Sequence, residues 1–299
     1  MSPTTTIPFD EKTIRQGTGS LTVQQIDRYD SDGYIVLPGL LDDADIAPAR
    51  QAMSEKVDEI AADLLASGLI TDKLEGAPFE TRLARIFAGL SDMDFLKYGR
   101  GWRDRRAGYY ELMANSKILD AVESLIGPEI FSNPVYNVRP KVPGVAAGAV
   151  PWHQDKSYWP GSNSNPVITV WIPLVESNEA NGCLHIWPGT HKTDVLSYHA
   201  ETYSSTGYTE IDFEHTADAQ AVPLPISAGT AILFNDRCIH MSTPNKADSV
   251  RWSVDLRYQP TDQDPMIEHG IGFLARSSNY PDRIATIDDW LAYRPEHSE

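Results

Sequence analysis

The sequence predicts a mainly β protein, a sandwich or closed double sheet, carrying a helical flank. Helical periodicities fill the chain up to about residue 130. After Pro128, short β-rich runs separated by Gly, Pro and Asn turns take over. The runs are too short and too closely spaced for strands alternating with helices, which disfavours a βαβ fold.

The elements follow in chain order. Thr22 and Gln25 have the spacing of a capping box for a short helix ending near Gly33. Tyr34-Ile35-Val36-Leu37 reads as a strand stopped by Pro38-Gly39. From Ala44 to Ala66, Ile46, Ala49, Met53, Val57, Ile60 and Leu64 recur at spacings of three and four. They predict an amphipathic helix closed by Gly68. Ser116 is the expected cap of a helix holding Ile118, Leu119, Val122, Leu125 and Ile126, with Gly127 at its end. Strands are expected over Val135–Arg139, Ala149–Asp155, Ile168–Val175, Cys183–Trp187, Ala231–Asn235, Cys238–Met241 and Val250–Tyr258. Asn181-Gly182 and Thr243-Pro244-Asn245 supply turns between them. No repeat or linker interrupts the 299 residues. The expectation is one domain over 1–299: a helical flank to about 130, a β core over about 131–260, and a C-terminal extension over 261–299.

Composition narrows the function classes. The chain has 25 Lys+Arg against 42 Asp+Glu, a net charge of −17, with no basic run. Nucleic acid and anionic membrane surfaces are repelled by such a field. Uncharged stretches are too short to span a bilayer, and MSPTTTIPFDEK lacks the basic-then-apolar pattern of a secretory signal. Cys183 and Cys238 are too few for a disulfide framework. A cytoplasmic protein acting on a small molecule is expected; nothing in the pattern sets an oligomeric state.

The sharpest local feature is Trp152-His153-Gln154-Asp155. In a strand, i and i+2 share a face, so His153 and Asp155 point together and offer an imidazole and a carboxylate to a metal such as iron(II). Taken alone, the pair is equally a salt bridge or a hydrogen-bonded histidine. Among the remaining histidines, His240 stands out at the end of an apolar strand pair. Arg251 then opens a strand in which Arg251, Ser253, Asp255 and Arg257 share one face and Trp252, Val254, Leu256 and Tyr258 the other.

Three blocks, WHQDKSYW, VWIPLVESNEANGCLHIWPGTHK and IHMSTPN with the following Arg251, make the chain resemble the phytanoyl-CoA dioxygenase family of iron(II)/2-oxoglutarate oxygenases. The resemblance runs from about Ile26 to Tyr258. It implies a double-stranded β-helix, or jelly roll, with one iron(II) in its open end. His153, Asp155 and His240 then match the facial triad, and Arg251 matches the residue that holds the distal carboxylate of 2-oxoglutarate. Three protein ligands leave three octahedral positions, two for the keto acid and one for O2. The cosubstrate's second carboxylate needs a buried partner, for which a guanidinium is suited.

The same resemblance gives Ser242 and Trp171 a cosubstrate contact, the alternative for Trp171 being core packing. Asn137, in the strand before His153, is a candidate for the keto-acid end. Tyr158 and Trp159 are candidates for the substrate mouth, the alternative being loop aromatics packed on the roll, and Arg257 for an anionic group of the substrate, the alternative being neutralisation by Asp255 beside it. Gln154 faces away and reads as structural. Thr230 and Asn235 depart from the family pattern, where an acidic residue and a histidine are common; neither is a ligand, so the departure bears on the substrate. The implied reaction is oxidation, by default hydroxylation, of a small organic molecule with release of succinate and CO2. Halogenation is disfavoured because Asp155 occupies the halide's place. A metal-free ligand-binding jelly roll and a zinc hydrolase are the competing readings. Against the hydrolase stand Arg251 and Ser242, since hydrolysis needs no dicarboxylate clamp.

Overall fold

The computed structural model of the protein describes residues 19–99, 102, 104–145, 148–159, 167–202, 207–212, 221–262 and 272–292. The N-terminal segment read for a secretory signal and His215, His269 and His297 lie outside them. Helix α1 spans Val23–Asp32. Thr22 and Gln25 cap it reciprocally, and Gly33, at φ +80°, ends it and turns the chain into strand β1, Tyr34–Leu37. Helix α2 (Asp43–Ala66) is capped by Asp42, with Asp45 returning the bond, and buries the predicted stripe from Ile46 to Leu64. Helices α3 (Phe79–Phe87), α4 (Asp92–Asp94), α5 (Ala107–Met113) and α6 (Ser116–Ile126) complete the flank. The cap of α6 is Asn115, not Ser116: Asn115 has the extended backbone, and its side-chain oxygen accepts from the Lys117 N–H at 2.9 Å. Among the described residues no helix is long and apolar enough to cross a membrane.

The strands that follow are β2 (Ile130–Ser132), β3 (Asn137–Lys141), β4 (Val150–His153), β5 (Ile168–Pro173), β6 (Leu184–Trp187), β7 (Tyr198–Ala200), β8 (Thr209–Ile211), β9 (Val222–Leu224), β10 (Ala231–Asn235), β11 (Ile239–Ser242), β12 (Arg251–Pro260) and β13 (Phe273–Arg276); helix α7 spans Ile287–Ala292. The major sheet runs β1-β10-β5-β12-β2-β13, with β3 also on β12. The minor sheet runs β4-β11-β6-β9, and β7 pairs β8. All these pairings are antiparallel. This is a jelly-roll arrangement with flanking helices. Strand β13 draws part of the C-terminal extension into the major sheet, and Trp290 of α7 is buried.

Alternation in β12 shows how the layers are made. Trp252, Val254, Leu256 and Tyr258 belong to the large core shared with the helices. Arg251, Ser253, Asp255 and Arg257 lie on the opposite face yet are equally buried. They look into the roll, where Trp171, Ile232 and Phe234 of the major sheet pack against Leu184, Ile186 and Leu224 of the minor one. Water removed from apolar residues on both faces of the major sheet stabilises the stack. The interior therefore contains a patch of buried charge that must find its own partners.

Candidate active site

Pairing of β4 with β11 sets His153 directly opposite His240, with ring centroids 4.1 Å apart. Each Nδ1 donates to a carbonyl two residues earlier on its own strand, His153 to Pro151 at 2.8 Å and His240 to Cys238 at 2.9 Å. A carbonyl can only accept, so both tautomers are fixed and both Nε2 lone pairs are left free for a ligand. Burial, reinforced by the neighbouring His153, pushes His240 down to about 3. It is a neutral imidazole at any physiological pH.

Asp155 joins these rings by a route other than the expected one. Strand β4 ends at His153, and Asp155 opens a 3₁₀ turn over Asp155–Tyr158. The turn brings Oδ1 within 3.5 Å of His153 Nε2 and 3.8 Å of His240 Nε2. The opposite oxygen, Oδ2, accepts from Thr169 Oγ1 at 2.6 Å and from an Arg257 nitrogen at 2.9 Å. Burial opposes the carboxylate's charge, but Arg257 and then the His153 contact outweigh it and hold Asp155 well below the usual range. One oxygen thus faces the histidines while the other is tied back. Ligand atoms of His153, Asp155 and His240 all lie within 4.8 Å of one another, and all three residues are buried. Two imidazoles presenting Nε2 and one ionised carboxylate fit a borderline divalent metal.

A second cluster lies along the same interior. Arg251 is 1% exposed, donates to Ser253 Oγ at 3.2 Å, and has its guanidinium 5.2 Å from the Trp171 ring centre. Its Nε has no hydrogen-bond partner. Burial, then the neighbouring Arg139, pushes it down to about 10, so it remains a cation at neutral pH. Lys141, 2% exposed, is the cross-strand partner of Arg251 and donates to Ser242 Oγ at 2.7 Å and to the Thr243 carbonyl at 2.6 Å. Among the described residues no carboxylate lies within ion-pair distance of Arg251 or Lys141. Burial and the neighbouring Arg251 and Arg139 hold Lys141 well below the usual lysine range. A buried guanidinium without an anion, beside a lysine amine and a serine hydroxyl, fits one end of a dicarboxylate.

Other predicted residues are placed as follows. Ser242 belongs to this second cluster through Lys141. Trp171 both packs in the roll interior and underlies Arg251. Asn137 donates to Asp255 Oδ2 at 2.6 Å. Tyr158 is 39% exposed, with its ring edge-on to His153 at 5.7 Å and its hydroxyl accepting from the Thr209 N–H at 3.1 Å. Gln154 is structural: its amide bridges the Arg237 carbonyl and the Leu196 N–H.

For Arg257 and Trp159 the structure favours the alternative of each pair. Arg257 is not available for an anionic substrate, because its fork is committed to Asp255 and to Asp155. Trp159 does not form an exposed mouth. It is buried, lies 5.8 Å from the Arg257 guanidinium, and donates from its indole to Asp236 at 3.2 Å.

Thr169, Lys141 and Arg139 escaped the sequence reading, although one signal was present. Asn137, Arg139 and Lys141 repeat at period two, mirroring Arg251, Ser253 and Asp255 on the strand that pairs with theirs.

Similarity to known proteins agrees with this geometry. Residues 29–253 match the family described as phytanoyl-CoA dioxygenase (PhyH). The chain is 25% identical over 252 residues to the peroxisomal phytanoyl-CoA dioxygenase of Homo sapiens, covering 81% of this chain and 69% of that protein. It is 28% identical over 240 residues to a methylphosphonate hydroxylase of Gimesia maris, covering 80% and 81% respectively. In fold it resembles the non-heme monooxygenase ThoJ (TM-score 0.57, 20% identity, covering 85% of this chain and 84% of that one). It also resembles the non-heme alpha-ketoglutarate-dependent carbocyclase SnoK (TM-score 0.55, 17% identity, covering 85% and 91%). The chain belongs to the phytanoyl-CoA dioxygenase family and is a non-haem iron(II)/2-oxoglutarate-dependent dioxygenase.

Proposed function

We propose that this dioxygenase hydroxylates a small organic molecule, with His153, Asp155 and His240 holding iron(II) and the Arg251 end of the interior holding 2-oxoglutarate. The observation that carries the reading is buried Arg251, a cation with no carboxylate among the described residues within ion-pair distance, beside the amine of Lys141 and lining the same interior as a buried His-Asp-His set. When bound, the metal and 2-oxoglutarate supply dioxygen activation, with oxidation of the keto acid to succinate and CO2.

The chain's own residues do the rest. His153 and His240 present Nε2 because their Nδ1 protons are held by Pro151 and Cys238. Thr169 and Arg257 act as positioning residues: they hold Asp155 Oδ2 away, so that Oδ1 alone serves as ligand. Arg251 and Lys141 pair the distal carboxylate, and Ser242, anchored by Lys141, turns its hydroxyl proton toward it. Trp171 supports the guanidinium from below. Tyr158, beside His153 and partly exposed, borders the space left for substrate. A cytoplasmic setting accords with the net charge of −17.

The test is a screen for succinate release across metabolite pools supplied with iron(II), 2-oxoglutarate and air. A compound that raises succinate formation and gains one oxygen atom establishes the reading. Succinate formation that no compound stimulates, or a product that gains no oxygen, overturns the hydroxylation.

A further inference from the structure

The interior charges do not balance. Asp155 is a metal ligand in the proposed function, on which this inference rests, and one carboxylate of 2-oxoglutarate faces Lys141 and Arg251. What remains at the other end is Arg139 and Arg257 on Asp255, with Arg257 also bonded to the Asp155 oxygen that faces away from the metal site. Asp255 is saturated: Arg139 Nε donates to one oxygen at 2.6 Å, and Asn137 and Arg257 donate to the other. The basic side chains of the interior thus outnumber the carboxylates that face them, inside a protein whose net charge is −17. Buried cations in folded proteins are normally paired.

Of the four basic side chains in this interior only Arg139 is open. Its side chain is 26% exposed, against 4% for Arg257. Arg251 and Lys141 are 1% and 2% exposed. One terminal nitrogen of Arg139 donates to the Tyr208 hydroxyl at 3.0 Å, and the guanidinium lies 5.7 Å from that ring's centre. The other terminal nitrogen has no hydrogen bond to any described residue. Tyr208 directly precedes β8, whose first residue, Thr209, is bonded to the Tyr158 hydroxyl, and Tyr158 stands edge-on to the metal-facing His153. Arg139, Tyr208 and Tyr158 therefore gather at one edge of the metal site.

We propose that the substrate carries an oxyanion, a carboxylate, phosphate or phosphonate, that seats on the open edge of Arg139 and leaves the rest of the molecule beside Tyr158 and the metal. Arg139 thus takes the part that the sequence assigned to Arg257. A guanidinium already aligned by Asp255 and Tyr208 presents its charge and its one free terminal nitrogen at little entropic cost.

The test uses the full-length protein loaded anaerobically with iron(II) and 2-oxoglutarate. It is titrated with small aliphatic carboxylates and phosphonates and with the neutral amide or ester of each. The readout is the perturbation of the visible absorption of the iron–2-oxoglutarate complex. Anionic probes are expected to perturb it, with the stronger arm identifying which oxyanion fits; their neutral counterparts should bind at least about tenfold more weakly. R139Q should lose about tenfold or more for the anionic probes, whereas R139K, which keeps a charge opposite Asp255, should retain most of the affinity. Equal binding of neutral and anionic probes, wild-type binding by R139Q, or no response to any anion overturns the proposal. Absence of the absorption itself in the wild type would instead overturn the iron and 2-oxoglutarate reading beneath it.

Discussion

Replacing Thr169 by Val removes one hydroxyl and little else, since the two side chains are nearly the same size. Thr169 is buried on β5, and its hydroxyl donates to Asp155 Oδ2 at 2.6 Å. A hydrogen bond to a charged group is worth about 1.5–3 kcal/mol, or roughly 10- to 150-fold in an equilibrium constant. Arg257 still donates to the same oxygen at 2.9 Å, so the carboxylate keeps one restraint and the lower end applies. Outer-shell residues of metal sites commonly contribute about 10–100-fold to metal affinity. Thr169→Val is therefore expected to weaken iron(II) binding about tenfold, measured by anaerobic titration with unfolding monitored in parallel. The affinity for 2-oxoglutarate at saturating iron should stay within about twofold, because Thr169 does not touch the Arg251 cluster. Iron affinity within twofold of wild type would refute the claim that Asp155 is held by its second oxygen.

Arg251→Leu is expected to raise the 2-oxoglutarate requirement by about two to four decades, nearer two because Lys141 remains, with iron affinity nearly unchanged. Titrating the cosubstrate against succinate formation checks this. Gly182→Ala should cost both stability and 2-oxoglutarate affinity. Gly182 has φ +81°, and an added Cβ would lie 2.3 Å from the Thr243 carbonyl oxygen and 2.9 Å from Lys141 Cδ; urea unfolding and cosubstrate titration read the two effects. Asp236→Asn should gain stability relative to wild type as pH rises. Burial raises the Asp236 pKa from 3.8 to about 6, so its contribution is full below the unfolded value and is lost as pH climbs through the folded one. The advantage of Asn should therefore grow by about 1–3 kcal/mol across that window, measured by unfolding at pH 4 and pH 7.5.

The triad was legible through the family resemblance of the blocks that carry it; residue type and local spacing alone left a salt bridge or a hydrogen-bonded histidine open. His153 and Asp155 lie two apart, and His240 marks the end of an apolar strand. Their geometry was less so: the expected strand pleat gives way to a 3₁₀ turn at Asp155, a change of path that leaves the spacing untouched. Thr169 and Arg257 were illegible as supports of Asp155 because their approach depends on β5 lying beside β12, a pairing of strands distant in sequence. The same distance hid the bond between Arg257 and Asp155. Lys141 needed the register of β3 on β12 to meet Arg251. Among the elements, α1, α2 and β12 announced themselves by caps and period. Strand β7 did not, since all three of its residues are exposed and no apolar alternation marks it. Helix α3 carried a signal in Leu83, Ile86 and Phe87. It lies in a stretch of mixed charge that masks the period.

The central claim, that His153, Asp155 and His240 hold iron(II) beside a 2-oxoglutarate held by Arg251, is met most directly by anaerobic iron(II) titration of the wild type and of His153→Ala, Asp155→Ala and His240→Ala, followed by 2-oxoglutarate. The wild type should bind one iron and develop a new visible absorption only when both are present. Each variant should remain folded by circular dichroism and lose both the tight binding and the absorption. Wild-type affinity in all three variants would contradict the assignment of the metal site.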